Sequence, residues 1–326
     1  MSESNLSILD VGHGNSSVLY ADGETVIVDC GARGSTLLEF LADRKITKIK
    51  AIYLSHADQD HIGGLITILA SGAFEVREVY LNTDASKETK LWGDLTFLLD
   101  EADRRGGIKF EVTIHSELAT AICGEIGLVP IGPSKLLVAR GVGNRDRNDR
   151  KITSNGISAS FLISYRGTPA AFLSGDIDEI GLDEIEFTRK DIKARVLVFP
   201  HHGGKPDDSD EKVFTNRLMD LVSPQTVIFS IGRNKWENPR SEIVDVVKAR
   251  GAGTRIACTQ LAKRCAANLP ATDPFHLHPF YAKGKPRRQC CGGTFVVEFG
   301  DRVEEFPRHD AHQDFISTHA STALCR

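Results

Sequence analysis

A dense run of metal-ligand residue types stands at positions 55–64, Ser-His-Ala-Asp-Gln-Asp-His-Ile-Gly-Gly, directly after the apolar run Ala-Ile-Tyr-Leu. Its His56, Asp58, Asp60 and His61 fall within six residues. Carboxylates this close together disfavour each other's charged forms, as imidazoliums do, unless a cation organises them. A solvated polar turn is the alternative interpretation. We interpret the run as a metal site at the C-terminal end of a strand, since other parts of the chain supply further ligands.

Two later segments also place polar groups at the ends of predicted strands. The sequence Ser-Gly-Asp176 follows a strand predicted at 170–173, and Pro-His201-His202 follows one predicted at 196–199. The glycine before Asp176 lets the backbone turn sharply, and a carboxylate there can bridge two cations. Paired histidines after a buried strand can place an imidazole on a metal. Each motif alone is ambiguous, but the three together predict one shared metal centre.

The composition excludes several classes of protein. With 326 residues and 41% hydrophobic residues, the chain can build one large domain with a sizeable core. A net charge of -4 gives no overall basic footprint for nucleic acid, although it leaves room for a local basic patch. No apolar run reaches the roughly 18 residues of a membrane span, so we expect no membrane association. Seven cysteines without a secretion signal indicate a reducing compartment, and we expect a cytoplasmic protein.

The hydrophobic periodicity predicts a mixed α/β fold that positions these motifs. Strands mix with helices in two similar halves, which favours two sheets packed face to face with helices outside. We expect a single domain at 1–306, with an insert rich in Cys and His at about 255–293, and a flexible tail at 307–326. The predicted strands are 6–11, 17–20, 24–28, 50–54, 79–81, 157–165, 170–173, 196–199, 226–230 and 294–299, and the predicted helices are 37–43, 63–69, 90–105, 210–222 and 241–250.

These motifs, in this order, resemble those of metallo-β-lactamase-fold hydrolases, and more closely those of the hydrolase domains of ComEC-type competence proteins. The ComEC-type subgroup has Asp where the wider superfamily has the second His of its His-x-His-x-Asp-His motif, and Asp58 fits the subgroup. The resemblance implies an αββα sandwich with a metal site at one edge, between the two sheets. The segments that carry it are 9–15, 27–31, 54–64, 173–176, 199–203 and 230–234.

The same resemblance implies roles for the motif residues. It puts His56 and Asp58 on one metal, Asp60 and His61 on a second, and Asp176 between the two. One histidine of the His-His pair would complete a site: we favour His201 as the ligand and give His202 a catalytic or substrate-contacting role. Asp29, after its strand, would orient a ligand histidine by a hydrogen bond.

Two positions depart from the family pattern. His115 is the only histidine between residues 65 and 170, and it lies in a strand-like stretch without glycine. One metal position is therefore expected to be short of a ligand, giving one tightly and one loosely bound ion. Asn238-Pro239 stands where the family often has His-Pro, and asparagine cannot act as a general acid or base.

The expected centre suits hydrolysis at phosphorus. One or two divalent cations lower the pKa of bound water and polarise the scissile group. Oxygen ligands favour manganese, whereas the histidines suit zinc. Asp60 can also orient the attacking hydroxide. Arg233 and Asn234 follow a predicted strand and could hold a phosphate oxygen, as could Lys205, and His13 could contact substrate from its glycine-bracketed loop.

The leading functional hypothesis is a metal-dependent phosphodiesterase or nuclease, with a defence-system effector as one biological setting. The second hypothesis is also an enzyme, a metal-dependent hydrolase that acts on a lactone or a thioester. A non-catalytic scaffold that binds a protein partner through the insert or the tail is the third hypothesis, and the intact set of ligands argues against it.

A second concentration of metal-ligand types lies in the insert. Cys258, Cys265, Cys290 and Cys291 fall within 34 positions, with two histidines between them. A structural zinc held by four cysteines, or by three and a histidine, would stabilise a segment that lacks a core of its own. Buried free thiols and a disulfide remain as alternatives. The basic run at 283–288, Lys-Gly-Lys-Pro-Arg-Arg, could bind a nucleic-acid backbone or be a solvated loop.

Overall fold

Two β-sheets pack face to face in the computed structural model, which describes residues 4–188, 192–233, 236–251, 253–271, 274–320 and 322–326. In the first sheet the strand order is Glu304–Phe306 (β15), Phe295–Phe299 (β14), Ser4–Ile8 (β1), Ser17–Ala21 (β2), Glu24–Val28 (β3), Lys48–Tyr53 (β4), Glu75–Tyr80 (β5) and Lys109–Glu111 (β6). In the second it is Arg255–Cys258 (β13), Thr226–Phe229 (β12), Val196–Val198 (β11), Thr168–Leu173 (β10), Ser160–Tyr165 (β9), Ile126–Gly132 (β8) and Ala121–Cys123 (β7).

Helices cover the outer faces of both sheets. Apolar residues of the facing sheets, such as Val26 and Phe161, form the central core between them. Leu65 is in the outer core of the first sheet and Leu218 in that of the second. These layers confirm the predicted sandwich with helices outside. The helices are Ser35–Asp43 (α1), Gln59–Ser71 (α2), Lys90–Arg104 (α3), Lys135–Arg140 (α4), Glu179–Thr188 (α5), Glu211–Val222 (α6), Ser241–Ala249 (α7) and His309–His319 (α8). Among the described residues, none of the helices has the length and apolarity needed to cross a bilayer.

The C-terminal ends of parallel strands bring the motifs to one edge of the sandwich. Strands β3, β4 and β5 run parallel in the first sheet, and β10, β11, β12 and β13 run parallel in the second. The loops that follow β3, β4, β10, β11 and β12 therefore meet at that edge. The N–H of Ala159 donates to the carbonyl oxygen of Ser55 at 2.7 Å, which joins the two sheets beside the metal-ligand run.

Helix α2 begins earlier than the periodicity predicts, at Gln59 rather than at residue 63. Asp58 has an extended backbone and precedes the helix, so Asp60 and His61 lie in its first turn. The helix approaches the loop after β3 so closely that a Cβ on Gly64 would lie 2.0 Å from the carbonyl oxygen of Cys30. Glycine at 64 therefore fixes the distance between the ligand helix and that loop.

Substitution of Gly64 by alanine is expected to destabilise the fold, because the new methyl group meets backbone that cannot move aside. We expect a loss of at least about 1–3 kcal/mol in the free energy of unfolding, measured by urea denaturation. Gly93→Ala in α3 is the matched control, since nothing lies within 4 Å of the added Cβ. It should leave stability unchanged or raise it by up to about 1 kcal/mol. Equal stability of the two variants would contradict this account of α2.

The segment 307–326, expected as a flexible tail, contains helix α8 instead. His312, Phe315 and Ile316 are buried, and both apolar residues join the outer core of the second sheet. Their spacing of three and four residues places them on one helix face. The three histidines of this segment led the sequence interpretation toward a mobile tail, and only the packing partner in the second sheet distinguishes the two outcomes.

Candidate metal centre

Asp29 holds His61 in a fixed orientation. The Nδ1 of His61 donates to Asp29 Oδ2 at 2.7 Å, and the backbone N–H and hydroxyl of Ser55 donate to the same carboxylate at 2.7 and 2.9 Å. Because Asp29 accepts a hydrogen bond from the protonated Nδ1, the neutral form of the ring presents the lone pair of Nε2 to the centre. This is the contact expected for Asp29 from the sequence.

Six side chains form two groups at the edge of the sandwich. One ligand atom from each member of a group lies within 4.8 Å of the others in that group. We name His56, His61 and Asp176 the inner cluster, and His13, Asp60 and His202 the outer cluster.

Asp176 connects the two clusters. Its Oδ2 lies 3.4 Å from His61 Nε2 and 3.6 Å from His202 Nε2. Gly175 before it has a φ of +57°, and a Cβ there would lie 2.5 Å from Ser158 Oγ, so the sharp turn that aims the carboxylate needs glycine. The N–H of Asp176 is in turn bound by Ser158 Oγ at 2.9 Å.

The structure places His202 rather than His201 in the clusters. His202 is buried, its Nδ1 donates to the carbonyl oxygen of Ser230 at 2.9 Å, and its Nε2 lies 3.0 Å from Asp60 Oδ2. The ring of His201 turns away, and its Nε2 donates to the carbonyl oxygen of Ile177 at 3.1 Å. His201 supports the centre through its backbone N–H, which donates to Asp176 Oδ1 at 3.1 Å.

The donor set fits a divalent cation. The Nε2 atoms of His56 and His61 are buried and have no hydrogen-bond partner, a state that costs free energy unless something binds them. In His202, Nδ1 is already committed to a carbonyl, so a neutral ring turns its Nε2 lone pair toward the Asp60 carboxylate. Two electron-rich atoms facing each other at this distance repel unless a proton or a metal ion lies between them.

The protonation states suit metal binding at neutral pH. Burial lowers the pKa of His56 to about 4 and that of His13 to about 4, so both rings are neutral at pH 7. Burial alone would raise the pKa of Asp60, but the hydrogen bond with His202 holds it below its usual range. Against the effect of burial, the carboxylates of Asp176 and its neighbours raise the pKa of His61 and His202, so a bound metal ion would displace the Nε2 protons of these two rings. Neutral imidazoles and an ionised carboxylate are the forms that bind metal ions.

Lys87 is a functional candidate that the sequence reasoning missed. Its ammonium forms an ion pair with Asp58 Oδ1, while Asp58 Oδ2 lies 3.9 Å from His56 Nε2. The lysine stands in the loop after β5, within the interval that offered no clear ligand histidine. A lone lysine in a polar loop carries no sequence signal that would have identified it. A fixed positive charge therefore lies beside the inner cluster.

Other residues singled out in the sequence lie elsewhere. The guanidinium of Arg233 donates to the carbonyl oxygens of Leu261, Ala262 and Ala267 at 2.9–3.3 Å, so it holds the insert. Lys205 is exposed and lines a separate surface pocket. Asn234 falls outside the described residues.

His115 and Asn238 bind backbone rather than the clusters. His115 accepts through Nδ1 from the N–H of Glu117 at 3.1 Å. Asn238 donates to the carbonyl oxygen of His201 at 3.3 Å, which supports the turn that carries the His-His pair.

The four cysteines proposed for a structural zinc do not form one ligand group, although Cys258, Cys265 and Cys291 share the outer core of the second sheet. Cys290 Sγ donates to Asp10 Oδ2 at 3.4 Å, whereas Cys291 Sγ lies 3.2 Å from His312 Nε2 on α8. The two adjacent thiols therefore contact different parts of the fold. All seven cysteines are free thiols, and no group of three ligand atoms as close as those of the inner cluster forms around them in the described ranges.

Comparisons with known proteins identify the family of this chain. The sequence matches the family model of the metallo-beta-lactamase superfamily over residues 9–205. It is 24% identical over 268 residues to ComE operon protein 3 of Bacillus subtilis, covering 76% of this chain and 31% of that protein. It is 25% identical over 248 residues to Recombination protein 2 of Haemophilus influenzae, covering 73% of this chain and 25% of that protein. The chain thus spans about a quarter to a third of the length of these relatives.

Solved structures align with this chain at low identity. The metallo-beta-lactamase fold protein YhfI from Bacillus subtilis aligns with a TM-score of 0.48 and 14% identity, over 79% of this chain and 96% of that one. Human tRNase Z, short form, aligns with a TM-score of 0.40 and 14% identity, over 70% and 92%. The resemblance predicted from the motifs is confirmed by the family match and the two ComEC-type relatives. With a match that covers more than half of its length, this chain belongs to the metallo-β-lactamase superfamily of metal-dependent hydrolases.

Proposed function

We propose that this chain is a metal-dependent phosphodiesterase that acts on nucleic acid or on a nucleotide. The observation that carries the proposal is the pair of ligand clusters joined by Asp176, with carboxylates and imidazoles facing one another. A centre shared by two ligand groups suits displacement at phosphorus, where both the attacking and the leaving oxygen need stabilisation. The names of two relatives, an operon protein of competence type and a recombination protein, are compatible with a substrate of this class.

The residues that would hold the tightly bound ion are His61, Asp60, Asp176 and His202. Such an ion, zinc or manganese, supplies Lewis-acid polarisation of the phosphoryl group and lowers the pKa of a bound water. His56 and Asp58 would hold a second, weaker ion. The ammonium of Lys87 opposes a second cation by its charge and by engaging Asp58.

The chain's own groups position the attacking water. Asp60 keeps its carboxylate ionised and directed at His202, so it can accept a hydrogen bond from a water beside it and orient that water for attack. The carbonyl oxygen of Ser230 and the carboxylate of Asp29 fix the rings of His202 and His61, which prevents either ring from rotating away.

Hydrolysis of bis-p-nitrophenyl phosphate tests this function directly. The protein is assayed with manganese, with zinc and after chelation, and then on single- and double-stranded DNA. We expect turnover that chelation removes and that one of the two ions restores. A protein shown to hold metal that cleaves neither the ester nor DNA would contradict the proposal and favour a lactone or thioester substrate.

Replacement of Lys87 by methionine is expected to strengthen binding of the second ion, because it removes the positive charge beside Asp58 and keeps the length of the side chain. We expect a second manganese to bind at least about tenfold more tightly than in the wild type, measured by isothermal titration calorimetry. Lys90→Met, at the exposed start of α3, is the control. If Lys87→Met and Lys90→Met gave the same titration, Lys87 would have no role in metal stoichiometry.

A further inference from the structure

A cavity of about 470 Å³ adjoins the metal centre. Its walls come from three parts of the chain: the loop at 12–13, the turn at 232–233 and the insert at 281–289. We name it the insert cavity. His13 lines it and also belongs to the outer cluster, where His13 Nε2 lies 3.7 Å from Asp60 Oδ2. The cavity therefore opens beside the group that would orient the attacking water.

Asp10 fixes the insert to the loop that carries His13. Its buried carboxylate accepts from the N–H of Gly12 at 3.1 Å, from the N–H of Gly284 at 2.8 Å and from Nε2 of Gln260 at 2.8 Å. The N–H of Lys283 donates to the carbonyl oxygen of Asp10 at 3.0 Å. These bonds hold the two walls in register, so the cavity is a built feature of the fold.

The cavity wall is basic. Lys283 is exposed and lines it, with its Nζ donating to the carbonyl oxygen of Val11 at 3.0 Å, which leaves further N–H groups to donate. Arg287 is exposed at its edge and forms no ion pair with any described residue. None of the described residues that line the cavity is acidic. Tyr281 and Gln289 add neutral hydrogen-bonding groups.

An exposed aromatic ring lies near this basic wall. Trp236 is 59% exposed, and its ring stacks on that of His13 with centroids 6.2 Å apart. Exposed indole rings beside cationic grooves are typical platforms for nucleobases. A phosphate bound by Lys283 and Arg287 would be held by charge-assisted hydrogen bonds, and the guanidinium can bind two oxygens at once.

From the insert cavity beside His13, we infer that the substrate carries a second phosphate, next to the scissile phosphodiester, which Lys283 and Arg287 bind. The inference rests on the proposed phosphodiesterase function and narrows it to substrates with neighbouring phosphates. A nucleic-acid strand and a short nucleotide with a terminal phosphate both supply this chemistry. The basic run at 283–288, for which the sequence offered binding of a nucleic-acid backbone or a solvated loop, would thereby select the substrate.

The inference is tested with two thymidine dinucleotides, TpT and its doubly end-phosphorylated form pTpTp. In the metal-loaded wild type, kcat/KM should be about tenfold higher for pTpTp, mostly through KM. Arg287→Gln should bring this ratio close to one. Arg288→Gln removes the same charge one residue away, where the side chain bonds the carbonyl of Ala271 outside the cavity, and should keep the wild-type ratio. A ten-residue oligothymidylate then distinguishes a strand, cleaved faster than pTpTp, from a short nucleotide.

Three kinetic results would overturn the inference: equal kcat/KM for TpT and pTpTp in the wild type, an unchanged ratio in Arg287→Gln, or the same loss in Arg288→Gln. Failure of the proposed function is recognised separately, as absence of bis-p-nitrophenyl phosphate hydrolysis. In that case the binding of thymidine 3′,5′-bisphosphate, measured by calorimetry, tests whether the cavity binds phosphate independently of hydrolysis. A dissociation constant at least about tenfold weaker in Arg287→Gln than in Arg288→Gln supports it, and equal constants contradict it.

Discussion

Asp60→Asn is expected to reduce kcat for phosphodiester hydrolysis by about 10²–10⁴-fold, with a fold as stable as that of the wild type. Asparagine keeps the shape of the side chain but removes the charge that faces His202 at 3.0 Å and that would help to hold the ion and orient the attacking water. Activity is measured with bis-p-nitrophenyl phosphate at saturating metal, and folding by circular dichroism.

Asp207→Asn is the control for this change. Asp207 is exposed and accepts a hydrogen bond from Asn155 at 3.3 Å, away from both clusters. It should retain full turnover. If Asp60→Asn turned over substrate as fast as Asp207→Asn, the outer cluster would not be the site of chemistry.

Asp29→Asn is expected to weaken the affinity for the tightly bound ion by about 10–100-fold and to lower stability. The carboxylate accepts from His61 and twice from Ser55, and it is almost fully buried. An amide group in its place donates on one side, which leaves at least one of these donors unsatisfied at a cost of about 1–3 kcal/mol. Calorimetric titration with manganese or zinc measures the first effect, and urea denaturation the second.

The variants of Asp29 and Asp22 are chosen so that backbone strain does not differ between them. Asp29 has a φ of +59°, a conformation that asparagine tolerates. Asp22→Asn makes the same replacement in the exposed turn between β2 and β3, where φ is +51°. It should change neither metal affinity nor stability. Wild-type affinity in Asp29→Asn would show that His61 needs no partner at Nδ1.

The position of the metal-ligand motifs could be predicted from the sequence because strand ends decide it. An apolar run followed by His and Asp indicates a strand and its C-terminal loop, and parallel strands bring such loops to one edge. The layers were predicted from the order of strands and helices, whereas the family and the edge came from the resemblance of the motifs. Helix α2 was predicted to begin too late, because Asp58 and Asp60 were interpreted as loop ligands, whereas Asp58 is the N-cap residue, although its side chain makes no capping hydrogen bond.

Choices between neighbouring residues could not be predicted in the same way. His201 and His202 both have left-handed backbones, with φ of 52° and 55°, so neither the strand period of two nor the helix period of 3.6 says which ring faces inward. The carbonyl oxygens of Ile177 and Ser230 decide it. Both belong to other strand-end loops and become neighbours only in the folded protein.

Long-range contacts explain the remaining differences. Lys87 pairs with Asp58 across 29 residues, and Cys290 with Asp10 across 280, distances in sequence at which a single chain gives no pairing signal. Arg233 was expected near phosphate because it follows a strand, but the carbonyls of the insert compete for its guanidinium. The insert itself has little regular structure, so periodicity could not place it beside the metal centre.

Anomalous diffraction from crystals grown with manganese tests the central claim most directly. We predict a peak at about 2.0–2.3 Å from side-chain atoms of Asp60, Asp176, His61 and His202, with His201 turned away from it. A weaker peak near His56 and Asp58 would mark the second ion. No peak at these residues in a crystal saturated with manganese or zinc, or a peak bound by His201 instead of His202, would contradict the account.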